Sequence, residues 1–161
     1  MKTNSYFDIG ANLTHESFDK DLITVIEEAK QNNVKKICIT STSIEDTRVS
    51  LKLLENDQDF FITTCGIHPH YADTFEESNI REIKELSEHP SVKAIGETGL
   101  DFYRNYSKKD NQILCFKSQI EVAQDLNLPL FLHQRDAHKD FMNCFSNIDP
   151  VSYTHLRAHE T

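Results

Sequence analysis

The chain has 161 residues, 38% of them hydrophobic and 27% charged, and a net charge of −9. That length suits one domain, the apolar content supports a packed core rather than low-complexity disorder, and the charge argues against a broad basic footprint on duplex nucleic acid. No apolar run approaches the ~18 residues of a membrane helix, so no membrane association is expected.

Met1-Lys2-Thr3-Asn4-Ser5 lacks the apolar stretch of a secretory signal. The four cysteines form no CxxC pair. They read as buried free thiols of a reducing compartment, so a cytoplasmic location is expected. Tyr6-Phe7-Asp8-Ile9-Gly10 reads as a first strand. From Ser17 to Gln31, Phe18, Leu22, Val25, Ile26 and Ala29 follow helical spacing. Lys36 to Thr40 is a second strand, and Ser43-Ile44-Glu45-Asp46 opens a helix with a capping box. Phe60 to Cys65 is a third strand, and Glu76 to Glu88 a helix with Ile80, Ile83 and Leu86 on one face. Val92 to Gly96 is a fourth strand. Ser107-Lys108-Lys109-Asp110 caps a long helix bearing Ile113, Phe116, Ile120 and Ala123. Pro129 to Leu132 is a fifth strand, and Asp136 to Phe145 begins a last helix.

Strands recur every ~30 residues, the size of one strand–helix–strand unit, which predicts a parallel sheet covered by helices. Periodicity leaves two closures open: a doubly wound sheet, or a (β/α)8 TIM barrel of which about five βα units are present. The four glycines, Gly10, Gly66, Gly96 and Gly99, all fall at strand ends. They serve ordinary turns, or they let several strand ends crowd one ligand.

In a parallel α/β protein the C-terminal strand ends share one side, where ligands bind. Glu97 and His133 would be neighbours there, each following an apolar strand. Either residue alone is more often a cap or a packed, hydrogen-bonded side chain. Together they suit a hard-to-borderline divalent cation, Mg²⁺, Mn²⁺ or Zn²⁺. His155 and His159 are spaced to share a helix face, but no Glu follows His155 to complete an HExxH motif.

Four blocks resemble, in order and spacing, those of the TatD family of metal-dependent deoxyribonucleases. They are Phe7-Asp8-Ile9-Gly10-Ala11-Asn12-Leu13-Thr14, Gly66-Ile67-His68-Pro69-His70, Gly96-Glu97-Thr98-Gly99-Leu100-Asp101 and His133-Gln134-Arg135-Asp136-Ala137. The resemblance runs from about Tyr6 to about Phe145 and implies the barrel closure. It implies that Glu97 is a catalytic, metal-bridging glutamate and His133 a metal ligand. It further implies that His68 and His70 lie beside the substrate and that Arg135 contacts phosphate. Asn12-Leu13-Thr14 stands where many members carry His-x-His, so Asn12 is assigned a place behind the ligands. Asp101 is read either as a partner to a ligand or as a cap of its own loop. The implied cofactor is a divalent cation, Mg²⁺ first. The implied partner is DNA, as a single strand or a strand end, hydrolysed exonucleolytically at its phosphodiester bonds.

Beyond Pro150 the resemblance stops. The family's sixth-strand His-Cys-Phe-Thr-Gly and eighth-strand Thr-Asp-Ala-Pro blocks are absent. The expected organisation is therefore residues 1–150 as the N-terminal part of a hydrolase barrel and 151–161 as a foreign or disordered tail. On that expectation the chain is truncated and could be inactive as it stands. Two other functions fit the same sequence: a metal-dependent hydrolase of ester, amide or aminoacyl-tRNA bonds, and a fragment that binds without turnover.

Overall fold

The computed structural model describes residues 4–146 and the backbone of residues 156 and 157. Its strands are β1 (Tyr6–Ala11), β2 (Val34–Ile39), β3 (Phe61–Cys65), β4 (Val92–Asp101), β5 (Leu130–Arg135) and the short β6 (Leu156–Arg157). Helices α1 (Leu22–Gln31), α2 (Ile44–Leu54), α3 (Glu77–Ser87), α4 (Lys109–Leu126) and α5 (His138–Asn143) follow β1 to β5 in turn. Every neighbouring pair of strands is parallel, and the spatial order is the chain order. A doubly wound sheet would reverse that order at a switch point. Here each strand is added on the same side as the last, which is the arc of a (β/α)8 barrel.

The core sits in two clusters. One joins β3, β4 and β5 to α3 and α4 through Ile83, Ile95, Leu100, Phe116 and Ile120. The other joins β2 and β3 to α2 through Ile37, Ile39, Leu54 and Phe61. β1 differs: Tyr6, Phe7 and Ile9 are exposed. Among the described residues β1 has a strand on one side only, so its apolar row lacks a second wall.

Local chemistry shifts several expected boundaries. The first helix begins at Leu22, not Ser17. His15 Nδ1 accepts the Ser17 amide and starts a 3-10 turn at Glu16–Phe18, and Asp21 then takes the N-cap of α1. At α2 only half of the expected capping box forms. Ser43 Oγ accepts the Asp46 amide, while the Asp46 carboxylate turns instead to Thr42 and Thr14. Lys108, not Ser107, precedes α4; Ser107 Oγ instead donates to the His70 carbonyl at 2.8 Å.

The largest difference is β4, which continues through Asp101 rather than ending at Gly96. Its pairing with β5 runs from Ile95 opposite Leu130 to Thr98 opposite Leu132, so Gly96 and Glu97 form a bulge. Gly96 lies at φ +143° and Gly99 at φ +145°. A Cβ on them would stand 2.2 Å from the Phe131 carbonyl oxygen and 1.9 Å from that of His133. Only glycine permits this approach of β4 to β5. The Glu97 amide donates to the Ser41 carbonyl at 2.8 Å, which anchors the bulge across the strand ends.

The candidate metal centre

His68 follows β3, Glu97 sits in the β4 bulge and His133 lies on β5. One ligand-type atom from each falls within 4.8 Å of the others. His133 Nδ1 is 3.2 Å from Glu97 Oε1, and His68 Nε2 is 3.9 Å from the same oxygen. His68 and Glu97 line a polar cavity of about 790 Å³ whose wall also includes Asn12, Thr14, Asp46, His70, Tyr71 and Arg104.

His133 is held between two carboxylates. Its Nε2–H donates to Asp101 Oδ2 at 3.3 Å while its Nδ1 faces Glu97. Burial pushes the imidazole pKa down, but the hydrogen bond and charge of Glu97, and the charge of Asp101, outweigh burial and hold it above its ordinary value. Both carboxylates thus favour the protonated form of the ring. Replacing its Nδ1 proton by a divalent cation leaves Asp101 behind the ring, the carboxylate–imidazole–metal arrangement that orients ligating histidines. The donor set of imidazole nitrogen and carboxylate oxygen fits Mg²⁺, Mn²⁺ or Zn²⁺.

His68 behaves differently. Burial, then the charges of His133 and His70, push its pKa down to about 2, so it is neutral at working pH. Its Nδ1 accepts the His70 amide at 3.2 Å, which places its proton on Nε2, facing Glu97. In this tautomer Nε2 presents a proton rather than a lone pair toward Glu97, at 3.9 Å and beyond hydrogen-bond reach. Ligation through Nε2 would require that proton to move and the His70 amide to let go.

Asp101 bonds both to imidazoles and to its own loop. Residue 101 is 0% exposed. Its Oδ2 accepts His70 Nε2–H at 2.9 Å as well as His133, and its Oδ1 accepts the amides of Tyr103 and Arg104 at 3.1 and 2.8 Å. Burial raises the carboxyl, but the Arg104 amide, the His70 hydrogen bond and the nearby imidazoles bring its pKa below the usual range.

Two buried glutamines on α4 hold this end of the barrel, and sequence reading missed both. Gln119 accepts the Ile67 amide at 2.8 Å and donates to the Ile67 carbonyl at 2.9 Å, fixing the residue before His68. Gln112 accepts the Asp101 amide at 2.9 Å and donates to the Ser107 carbonyl at 2.8 Å. Their signal was available: amides two turns apart among the apolar residues Cys115, Phe116 and Ile120.

Of the residues singled out from the sequence, Glu97, His133, His68, His70 and Asp101 form one connected network. Asn12 lies on the cavity wall and accepts from Thr14 at 3.3 Å. Arg135 points elsewhere: its guanidinium lies over the Tyr103 ring, 4.1 Å from the centroid. All four cysteines are free and buried. His155 and His159 lie outside the described residues. So does the expected foreign tail at 151–161, apart from the backbone pairing of Leu156 and Arg157 with β5.

A family model described as TatD related DNase matches residues 7–159. A protein of Musicola paradisiaca named 3'-5' ssDNA/RNA exonuclease TatD is 43% identical over 136 residues, covering 84% of this chain and 52% of the relative. A relative of the same name from Erwinia tasmaniensis is 39% identical over 137 residues, covering 85% and 53%. The chain thus spans about half the length of the curated relatives it matches. Among solved structures, a hydrolase TatD family protein from Entamoeba histolytica superposes with a TM-score of 0.81 at 27% identity, over 90% of this chain and 55% of that one. An uncharacterized amidohydrolase from Saccharomyces cerevisiae gives 0.76 at 28% identity, over 88% and 51%.

Proposed function

Because the chain belongs to the TatD related DNase family, we propose that Glu97 and His133 hold a divalent cation for the hydrolysis of nucleic-acid phosphodiester bonds. The observation that carries this reading is the Nδ1–Oε1 pair at 3.2 Å, with Asp101 behind the imidazole and Glu97 lining a cavity of about 790 Å³. When bound, the cation supplies Lewis acidity, acidifying water and neutralising charge on phosphate. Two protein ligands leave coordination positions for water and phosphate oxygens, the habit of Mg²⁺. His68 keeps its Nε2–H turned toward Glu97, 3.9 Å from Oε1. His70, held by Asp101, faces the cavity where a phosphate would enter. Arg135 would reach phosphate only by leaving the Tyr103 ring.

The curated relatives are named for single-stranded DNA and RNA, and we assign the same substrate class, degraded from a 3' end. Residues 1–150 are the unit that would carry these groups, with 151–161 outside it. A reducing cytoplasm suits four free thiols. Release of nucleotides from a 5'-labelled single strand with Mg²⁺ or Mn²⁺, abolished in Glu97→Gln, is the expected result. Cation-independent release, or a normal rate in that variant, would overturn the assignment. The amidohydrolase neighbour favours a second reading, hydrolysis of amide or ester bonds. Turnover of an aminoacyl ester panel in place of the oligonucleotide would select it.

A further inference from the structure

We propose that Tyr103 and Tyr106, on the loop between β4 and α4, form a platform on which unpaired nucleobases stack beside the metal centre. This deepens the nuclease reading above and rests on it. Both residues are mostly exposed, at 64% and 69%. The Tyr106 ring packs edge-on against His70 at 4.8 Å between centroids, and His70 lies 4.2 Å from His68 and 6.2 Å from His133 on the same measure. Tyr103 carries the Arg135 guanidinium. An aromatic ring backed by a cation is a stacking surface with a positive charge beside it.

The loop is ordered in advance. Asp101 Oδ1 accepts the Tyr103 and Arg104 amides. Ser107 Oγ donates to the His70 carbonyl and accepts the Asp73 amide at 3.1 Å, and Asp73 accepts the Lys108 amide at 2.8 Å. The loop backbone that carries the rings is thus set without an ordering cost on binding. One carboxylate, Asp101, fixes both the histidines and the tyrosine loop.

Charge points the same way. A chain of net charge −9 gains little from releasing counterions along a phosphate backbone. Stacking on aromatic rings needs no basic groove, tolerates any base, and requires a base whose face is free. A duplex offers such a face only at its frayed ends, so the platform selects single strands.

The test uses EDTA, so that neither metal binding nor turnover enters. Fluorescence anisotropy of a labelled thymidine oligonucleotide is compared with that of a matched abasic sugar–phosphate chain, and circular dichroism checks the fold of each variant. The abasic chain should bind the unaltered protein roughly tenfold or more weakly. Tyr103→Ala and Tyr106→Ala should each weaken thymidine binding about tenfold, and Tyr103→Phe and Tyr106→Phe should restore it. The chain has no tryptophan, so quenching of tyrosine emission by the thymidine strand reports stacking directly. Equal affinity for the abasic and thymidine chains would overturn the proposal, as would alanine variants that bind normally. Base-dependent binding without nucleotide release under any metal would defeat the hydrolase reading and leave the platform standing. Release without base-dependent binding would do the reverse.

Discussion

Asp101 and His133 meet diagonally across the β4–β5 pair, with the buried Asp101 Oδ2 accepting His133 Nε2–H at 3.3 Å. The same oxygen accepts His70 at 2.9 Å. This one carboxylate therefore sets the orientation of two imidazoles and frees His133 Nδ1 to face Glu97.

Asp101 also predicts an acid-dependent stability. Its native pKa lies below the ordinary value near 3.9. Between the two values the unfolded chain binds more protons, so stability rises with pH there and is lost as pH falls through the native pKa. Asp101→Asn should lower stability at pH 7 by about 1.5–3 kcal/mol, the range for hydrogen bonds to a charged group, and should flatten its dependence below pH 4. Urea melts at pH 3 and pH 7 measure both effects. An unaltered slope in the variant would show that Asp101 is not the titrating group.

The β4 bulge makes a steric prediction. Gly99→Ala places a Cβ 1.9 Å from the His133 carbonyl oxygen in a backbone conformation unsuited to alanine. Because the obstacle is backbone, β4 and β5 must part. The strained backbone alone costs about 1–3 kcal/mol, and the clash adds to it. Gly10→Ala, which meets the Phe131 ring at 3.2 Å, should be milder. Thermal melts that rank the two variants the other way would contradict the bulge geometry.

Gln119→Leu keeps the side-chain volume and removes the amide. The Ile67 amide and carbonyl then lose their partner inside the protein. The expected loss is about 1–3 kcal/mol for each buried group left unpaired. Amide exchange at Ile67 should accelerate with it. A variant of native stability would mean that water or a neighbour replaces the glutamine.

The alternation of strands and helices was legible because apolar runs and helical stripes survive in the sequence. The length of β4 was not. Gly96-Glu97-Thr98-Gly99 reads as a loop, having two glycines and no apolar alternation, and only its pairing with β5 reveals a bulged strand. Glu97 and His133 could be placed together from topology alone, since adjacent parallel strands end side by side. The position of His68 could not, because a His-Pro-His segment after a strand gives no clue to where its rings point. The half-formed capping box at Ser43 has a similar cause. Asp46 had two competing partners, and Thr14, 32 residues away, joins Thr42 in holding it. The phosphate role of Arg135 rests on the family resemblance, while its guanidinium settles on an aromatic ring supplied by another strand's loop.

The central claim is that Glu97 and His133 together hold a divalent cation. Its most direct test is calorimetric titration of Mn²⁺ into the unaltered chain, Glu97→Gln and His133→Ala at two pH values. The account predicts saturable binding to the unaltered chain that tightens as pH rises, because the His133 proton must leave. It predicts at least tenfold weaker binding in each variant, with native circular dichroism retained. Affinity unchanged in both folded variants would contradict it.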